Sequence, residues 1–547
     1  MRIKPLVFNL NIGCFMKYSI IFRLLRALPI ACFVPLTWAS SQTLVFCSEG
    51  NPEFLKPSLN TNTTSFDVTE QIFDKLVTFE PGGTQVIPAL ATRWTVSPNG
   101  LEYTFHLRRG VKWQSNALFT PRRDFNADDV LFTFERQWKR DHPFYAVTSA
   151  KHVYFDDVGM PDVLASLHKL DDHTVKFTLK QPDAPFVANL AMSWAGIESA
   201  DYAQAMRQAG TPEKIDHAPL GTGPFQLQRF EKDVALTYDA FAKHWAGRAK
   251  LDRLVFDITP DAGKRWAKLQ SGACHVMAYP NPADLPNMRD DTRMEVMNQT
   301  GLNVGYVAYN LRKKPFTDVR VRRALNMAIN KRRILRVIYK NTAVPAINPI
   351  PPMVWSYNRE VEDDVFDPAA AKKLLADAGF PSGFSTTLWA MPVQRPYMPD
   401  AMGVAKLIQE DLAEVGVTVK IDSPDWVNYV SGMQAGEHEM GILGWTGDNG
   451  DPDNFLNTLL GCTSLNGYNV AKFCYAPYDD LVKKAKISSE LDERTRLYQR
   501  AQAVFKSQAP WFTLAHTVQF KVLRADVQGF QLSPSGRHSF YGVSLKP

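Results

Sequence analysis

The 547 residues run on without an internal repeat, a low-complexity tract or a long linker, and this continuity constrains the fold more than any single motif. A chain of this length exceeds what one hydrophobic core serves, so two or more lobes are required. Lobes strung like beads would be separated by an exposed Pro-, Gly- or polar-rich boundary. No clean boundary is present, and helical and strand-like stretches are mixed throughout. The pattern predicts α/β lobes that share strands across a waist. A hydrophobic share of 45% and a charged share of 22% are ordinary for a globular protein with a large core.

Local signals fill in this frame. From Thr43 to about Leu90 the chain is polar and turn-rich. Trp94–Val96 and Leu101–Leu107 are β-type runs joined by Pro98-Asn99-Gly100, which predicts a hairpin. Val175–Lys180 alternates apolar and polar residues, as a half-buried strand should. Asp367-Pro368 supplies an N-cap and a first-turn proline, Lys372–Ala378 are good helix formers, and Gly379 ends the element. Asp318–Leu335 also reads as a helix: Val321, Leu325, Ala328 and Ile329 share one face, while Arg320, Arg322, Arg323, Lys331 and Arg332 form a solvated one.

Residues 1–39 read as an export signal, with bases through Arg26, an apolar stretch from Ala27 to Leu36, and small residues around Thr37-Trp38-Ala39. Either Met1 or Met16 serves as the start. The apolar stretch falls short of the roughly 20 residues that span a bilayer. A lipid anchor through Cys32 is the second reading of this segment. Cleavage delivers the chain to the periplasm without Cys14 and Cys32, leaving Cys47, Cys274, Cys462 and Cys474, an even number in an oxidising compartment. The close pair Cys462 and Cys474 would staple a local loop, which leaves Cys47 for Cys274 if all four are oxidised. No C-x-x-C spacing supports a metal site. The formal charge of +6 is also largely the leader's, since five of the 62 lysines and arginines lie there and leave 57 against 56 acids. The mature chain lacks a basic stripe, which argues against nucleic acid as a partner.

Two segments carry the chemistry. Met391-Pro392-Val393-Gln394-Arg395-Pro396-Tyr397 and Gly444-Trp445-Thr446-Gly447-Asp448-Asn449-Gly450-Asp451-Pro452-Asp453 set one cation and one anion among aromatics. Read alone, Arg395 is an exposed loop arginine between prolines, and Asp448 opens an Asp-Asn-Gly-Asp turn. Calcium is a poor fit, because an EF-hand loop needs Glu at its twelfth position, where counting from Asp448 or Asp451 gives Leu459 or Cys462. An exported hydrolase is the rival from another class. The chain carries neither a Gly-x-Ser-x-Gly elbow nor a His-Glu-x-x-His zinc site, and Gly436-Glu437-His438-Glu439 reads as a solvated polar turn.

Together with Tyr103–Trp113, Asn126–Val130, Gly221–Leu227 and Tyr279–Asp284, these segments resemble the bacterial extracytoplasmic solute-binding proteins that feed peptide ABC importers, nearest to their dipeptide-binding members. The resemblance runs from about Thr43 to the C-terminus. It implies an α/β, two-lobe periplasmic-binding-protein fold of the large peptide-binding class, with an extra subdomain and a hinged cleft. Lobe I would span 40–300, lobe II 301–518, and residues 519–547 would return to lobe I. The four mature cysteines match the family's two bridges.

The same resemblance implies binding without catalysis, cofactor or metal, by a monomer that serves an inner-membrane permease and its ATPase. It gives the carboxylate of a dipeptide to Arg395 and the ammonium to Asp448. Those charges lie roughly 6 to 7 Å apart in an extended dipeptide. A guanidinium can bond both carboxylate oxygens where lysine offers a point charge. Tyr397, Trp426 and Trp445 are candidate walls. Thr61, Asn62 and Thr63 would pair with the peptide main chain, and Met391 and Gly447 complete the expected ligand-binding set. Here the sequence departs from the family, whose glycine in the Thr61–Thr64 stretch corresponds to Asn62. Haem is the alternative ligand, since its propionates could also use Arg395.

Overall fold

In a computed structural model of the chain, the structure describes residues 42–60, 62–147 and 152–546. The leader with Cys14 and Cys32, and Thr61 among the expected site residues, lie outside the described residues.

A twelve-stranded sheet organises the described residues. At its centre Trp511–Arg524 runs through both halves. Its first part pairs antiparallel with Asn303–Tyr309, and from Val518 onward it pairs with Met294–Thr300 and then Val276–Met277. The sharing of strands expected from the sequence is therefore concentrated in one fourteen-residue element. Asn303–Tyr309 pairs in turn with Met440–Thr446, which lies beside Ser385–Trp389 and Thr418–Asp422. Apolar side chains gather into one large core from residues 302–515, another from 66–220, and a third from 44–278 with 523–543.

The stretch that looked only polar and turn-rich contains a central strand. Thr43–Ser48 runs parallel to both Arg253–Ile258 and Val276–Met277. Leu44, Phe46 and Cys47 are fully buried, as in a strand covered on both faces. Cys47 is bonded to Cys274, and Cys462 to Cys474. Among the described residues, no helix is long and apolar enough to cross a membrane.

The hairpin forms as the turn chemistry requires: Val96 faces Tyr103, and Gly100 takes φ +68°. It belongs to a four-stranded sheet with Thr174–Leu179 and Leu164–Asp171. Asp367 caps the helix Pro368–Asp377 by accepting from the Ala370 amide at 2.9 Å, and Gly379 follows at φ +95°.

Three readings of charged side chains need correction. The segment 318–335 is two helices, Val319–Ala328 and Lys331–Val337, broken where Ile329 is extended and Asn330 caps the second. Arg322 is buried, not solvated: its guanidinium bonds the carbonyls of Phe316, Gln508 and Ala509, which need donors. Lys331 is also largely buried, bonding Asp363 and the Ala346 carbonyl, and burial brings its ammonium down to about 8. His438 is fully buried between the helix Trp426–Ala435 and the strand Met440–Thr446, and burial pushes its imidazole down to about 3. Its neighbour Glu439 accepts from Thr386 and Thr387 at 2.8 and 2.7 Å. His438 and Glu439 are thus packed structure, while Glu437 alone of the four is exposed as a solvated turn would be.

Candidate functional site

A cavity of about 650 Å³ draws together most of the expected residues: Asn62, Thr63, Arg395, Tyr397, Trp426, Trp445 and Asp448 all line it. That volume lies in the usual range for small-molecule sites. Met391 and Gly447 do not line it. Met391 is packed in the large core. Gly447 bonds the Leu302 carbonyl through its amide, and a Cβ there would meet Phe455 and Leu302.

Arg395 is positioned by its backbone, which exchanges two hydrogen bonds with Met398 at 3.1 and 2.9 Å. Its guanidinium lies 4.6 Å from the centre of the Trp426 ring. Among the described residues no carboxylate lies within 4.0 Å of it. Tyr397 is buried beside it, and burial pushes its phenol up to about 12.

Trp426 opens the helix Trp426–Ala435, capped by Asp425. Trp426, Val430, Met433 and Gln434 fall at i, i+4, i+7 and i+8, so one helical face forms a largely apolar wall. Trp445 donates from its indole to Asn454 Oδ1 at 2.9 Å and meets Tyr468 edge to face, with ring centres 4.8 Å apart.

Asn454 Oδ1 also accepts from the Asp448 amide at 3.1 Å, which ties the two motif residues to one anchor. The Asp448 carboxylate accepts from Tyr154 Oη and from Arg537 Nη2, each at 3.2 Å. Burial raises its pKa, with the Arg537 charge opposing foremost. Asp451 is bonded by Arg494 at 2.7 and 2.8 Å, and Asp453 lies 3.6 Å from Lys486, so both carboxylates already face cations.

Asn62 caps the helix Thr63–Glu70, accepting from the Ser65 amide at 3.0 Å. Its φ of −133° is open to any residue, so glycine is not needed there. Sequence reasoning missed Tyr154, Arg537, Glu49, Arg265 and Tyr279, all of which line the cavity. No local spacing could have found them, because Tyr154 lies 294 positions from Asp448 and Arg537 lies 89. Arg265 faces the backbone, bonding the carbonyls of Thr259, Pro260, Ala278 and Tyr279. The cavity therefore carries a guanidinium at Arg395, a carboxylate at Asp448, and aromatic lining from Tyr397, Trp426 and Trp445.

Residues 85–467 match the family model for bacterial extracellular solute-binding proteins, family 5. The chain belongs to that family. This family 5 protein is 48% identical over 518 residues to a dipeptide-binding protein of Escherichia coli (strain K12), covering 94% of this chain and 97% of the relative. It is 44% identical to heme-binding protein A of Haemophilus influenzae, with 93% of each chain covered. Among solved structures, a dipeptide-binding protein from Pseudoalteromonas sp. SM9913 in complex with Met-Leu matches with a TM-score of 0.86 and 36% identity, covering 92% of this chain and all of that one. The fold of the family 5 protein is accordingly the two-lobe periplasmic-binding-protein fold.

Proposed function

We propose that this family 5 protein captures dipeptides and other short peptides by both termini and delivers them to an inner-membrane ABC permease and its ATPase. The observation that carries the reading is that Arg395 and Asp448 line one cavity. Arg395 takes the carboxylate, for which a planar guanidinium without a carboxylate partner is suited. Asp448 takes the ammonium. The peptide side chains lie against Trp445, Tyr397 and the Trp426–Gln434 face, which suit varied apolar shapes. Asn62 and Thr63, with Thr61, pair with the peptide main chain, which gives affinity independent of side-chain identity. The dipeptide-binding relatives at up to 48% identity support this reading.

Residues 40–300 serve as lobe I, 301–518 as lobe II and 519–547 as the return to lobe I, and the chain works as a periplasmic monomer after cleavage of residues 1–39. The ligand passes through chemically unchanged. Mass spectrometry of small molecules copurifying with the protein, followed by calorimetry with the peptide found, tests the reading. Intact short peptides are expected, and cleavage products alone would overturn it. The heme-binding relative at 44% identity supports a second reading, haem carriage through the same Arg395. An absorbance band on adding haemin that a dipeptide abolishes would place both ligands in one cavity.

A further inference from the structure

Two donors from distant parts of the chain converge on the Asp448 carboxylate, and an acceptor holds its amide. Tyr154, from the helix Val153–Asp157, and Arg537, near the C-terminus, each bond the carboxylate at 3.2 Å, and Asn454 holds the Asp448 amide. Arg537 Nη2 also reaches the Asp448 carbonyl at 3.2 Å, so one nitrogen fixes both backbone and side chain. Two other acids feel Arg537: Glu70, 3.9 Å from Nη1, and Asp67, whose carboxylate is bonded by the His538 amide at 2.8 Å and meets the His538 ring. Lys75 bonds both oxygens of Glu70 at 2.7 Å, and Ser193 bonds one of them. The Arg537 charge acts on Glu70 and Asp67 as well, yet its hydrogen bonds go to Asp448, with the apolar ring of Phe66 5.6 Å from its Cζ.

We propose that Arg537 is a positioning residue for the cationic end of the ligand: its guanidinium keeps Asp448 ionised and aimed, so that the carboxylate meets an ammonium without first losing a proton. This rests on the reading that Asp448 takes the ligand's ammonium. A buried carboxylate without a nearby cation drifts toward its neutral form. Burial already raises Asp448, and Arg537 is the foremost opposing charge. A neutral Asp448 would bind an ammonium poorly.

The test is calorimetric titration with alanyl-alanine from pH 7 down to 4.5, a window in which the peptide's ammonium stays protonated. In Arg537→Gln, affinity at pH 7 should stay within about tenfold of the parent, while the pH at which binding falls by half should rise by about one unit or more. Arg537→Lys, which keeps the charge, should leave that pH near the parent's. A Gln variant with an unmoved profile, one weakened equally at every pH, or a Lys variant that shifts as far as Gln would overturn the proposal. Asp448→Asn separates the two levels of the argument. If it binds alanyl-alanine as the parent does, the two-ended reading itself fails. If it loses binding while Arg537→Gln leaves the profile unmoved, only the role of Arg537 fails.

Discussion

Gly305 and Gly444 face each other across adjacent antiparallel strands, and a Cβ on either would collide with Tyr397. At Gly444 it would come within 2.2 Å of the Tyr397 ring and 2.5 Å of the Val304 carbonyl, and at Gly305 within 2.7 Å of the Tyr397 carbonyl. The paired glycines form the seat on which the Arg395 loop rests. Gly444→Ala should therefore displace Tyr397 and cost about 1 to 3 kcal/mol of stability by overpacking. Urea unfolding checks this, with peptide affinity falling alongside because the loop carries Arg395. An unchanged midpoint would mean that Tyr397 has room to move.

Arg395 has no carboxylate partner within 4.0 Å among the described residues, so its charge is available to a ligand anion. Arg395→Ala should weaken dipeptide binding by about 2 to 5 kcal/mol, the cost of stranding one charge of a buried pair. Arg395→Lys should fall between, since it restores the charge without the two-point geometry. Isothermal titration calorimetry at pH 7 distinguishes these cases, and a Lys variant no better than Ala would show that geometry outweighs charge.

Short-range features were the legible part of the chain. The hairpin at Gly100, the cap at Asp367 and the local bridge Cys462–Cys474 are each written within a dozen or so residues, where turn and capping chemistry act directly. Arg395 and Asp448 were legible because the surrounding motifs resembled a family, not because either local sequence marks a site. Arg322, Lys331 and His438 were misread because charged and polar residue types are usually exposed. Arg322 is buried where the carbonyls of Gln508 and Ala509 need a donor, and that need arises 186 or more positions away. Arg537 was invisible for the same reason: its partners Asp448 and Glu70 are neighbours only after the chain has folded back.

If both termini are read, blocking either should be costly. A dipeptide amidated at its C-terminus loses the anion for Arg395, and one acetylated at its N-terminus loses the cation for Asp448. Each should bind at least about tenfold more weakly than the free dipeptide, the scale of about 1.4 kcal/mol for one charged contact. Competition against a fluorescent dipeptide measures both. Undiminished binding of the acetylated form would remove Asp448 from the account while leaving Arg395 in place.

His438 bears on stability, not binding. Its imidazole is fully buried and neutral in the folded protein, with its pKa pushed from 6.5 to about 3 by burial and then by the Lys313 and Lys472 charges. Between those values the unfolded chain takes up a proton that the folded chain refuses, so this residue's contribution to stability falls as the pH drops from 6.5 toward 3. The slope approaches about 1.4 kcal/mol per pH unit for one histidine. Asp183 acts with the opposite sign: burial raises its carboxyl to about 7, so its contribution falls as the pH rises from 3.8 toward 7. The diagnostic quantity is therefore the difference between two profiles. His438→Phe, measured by urea unfolding at pH 7, 6, 5 and 4, should gain on the parent by about 1 kcal/mol for each unit of acidification. Parallel profiles would mean that His438 takes up its proton in the folded protein as readily as in the unfolded chain.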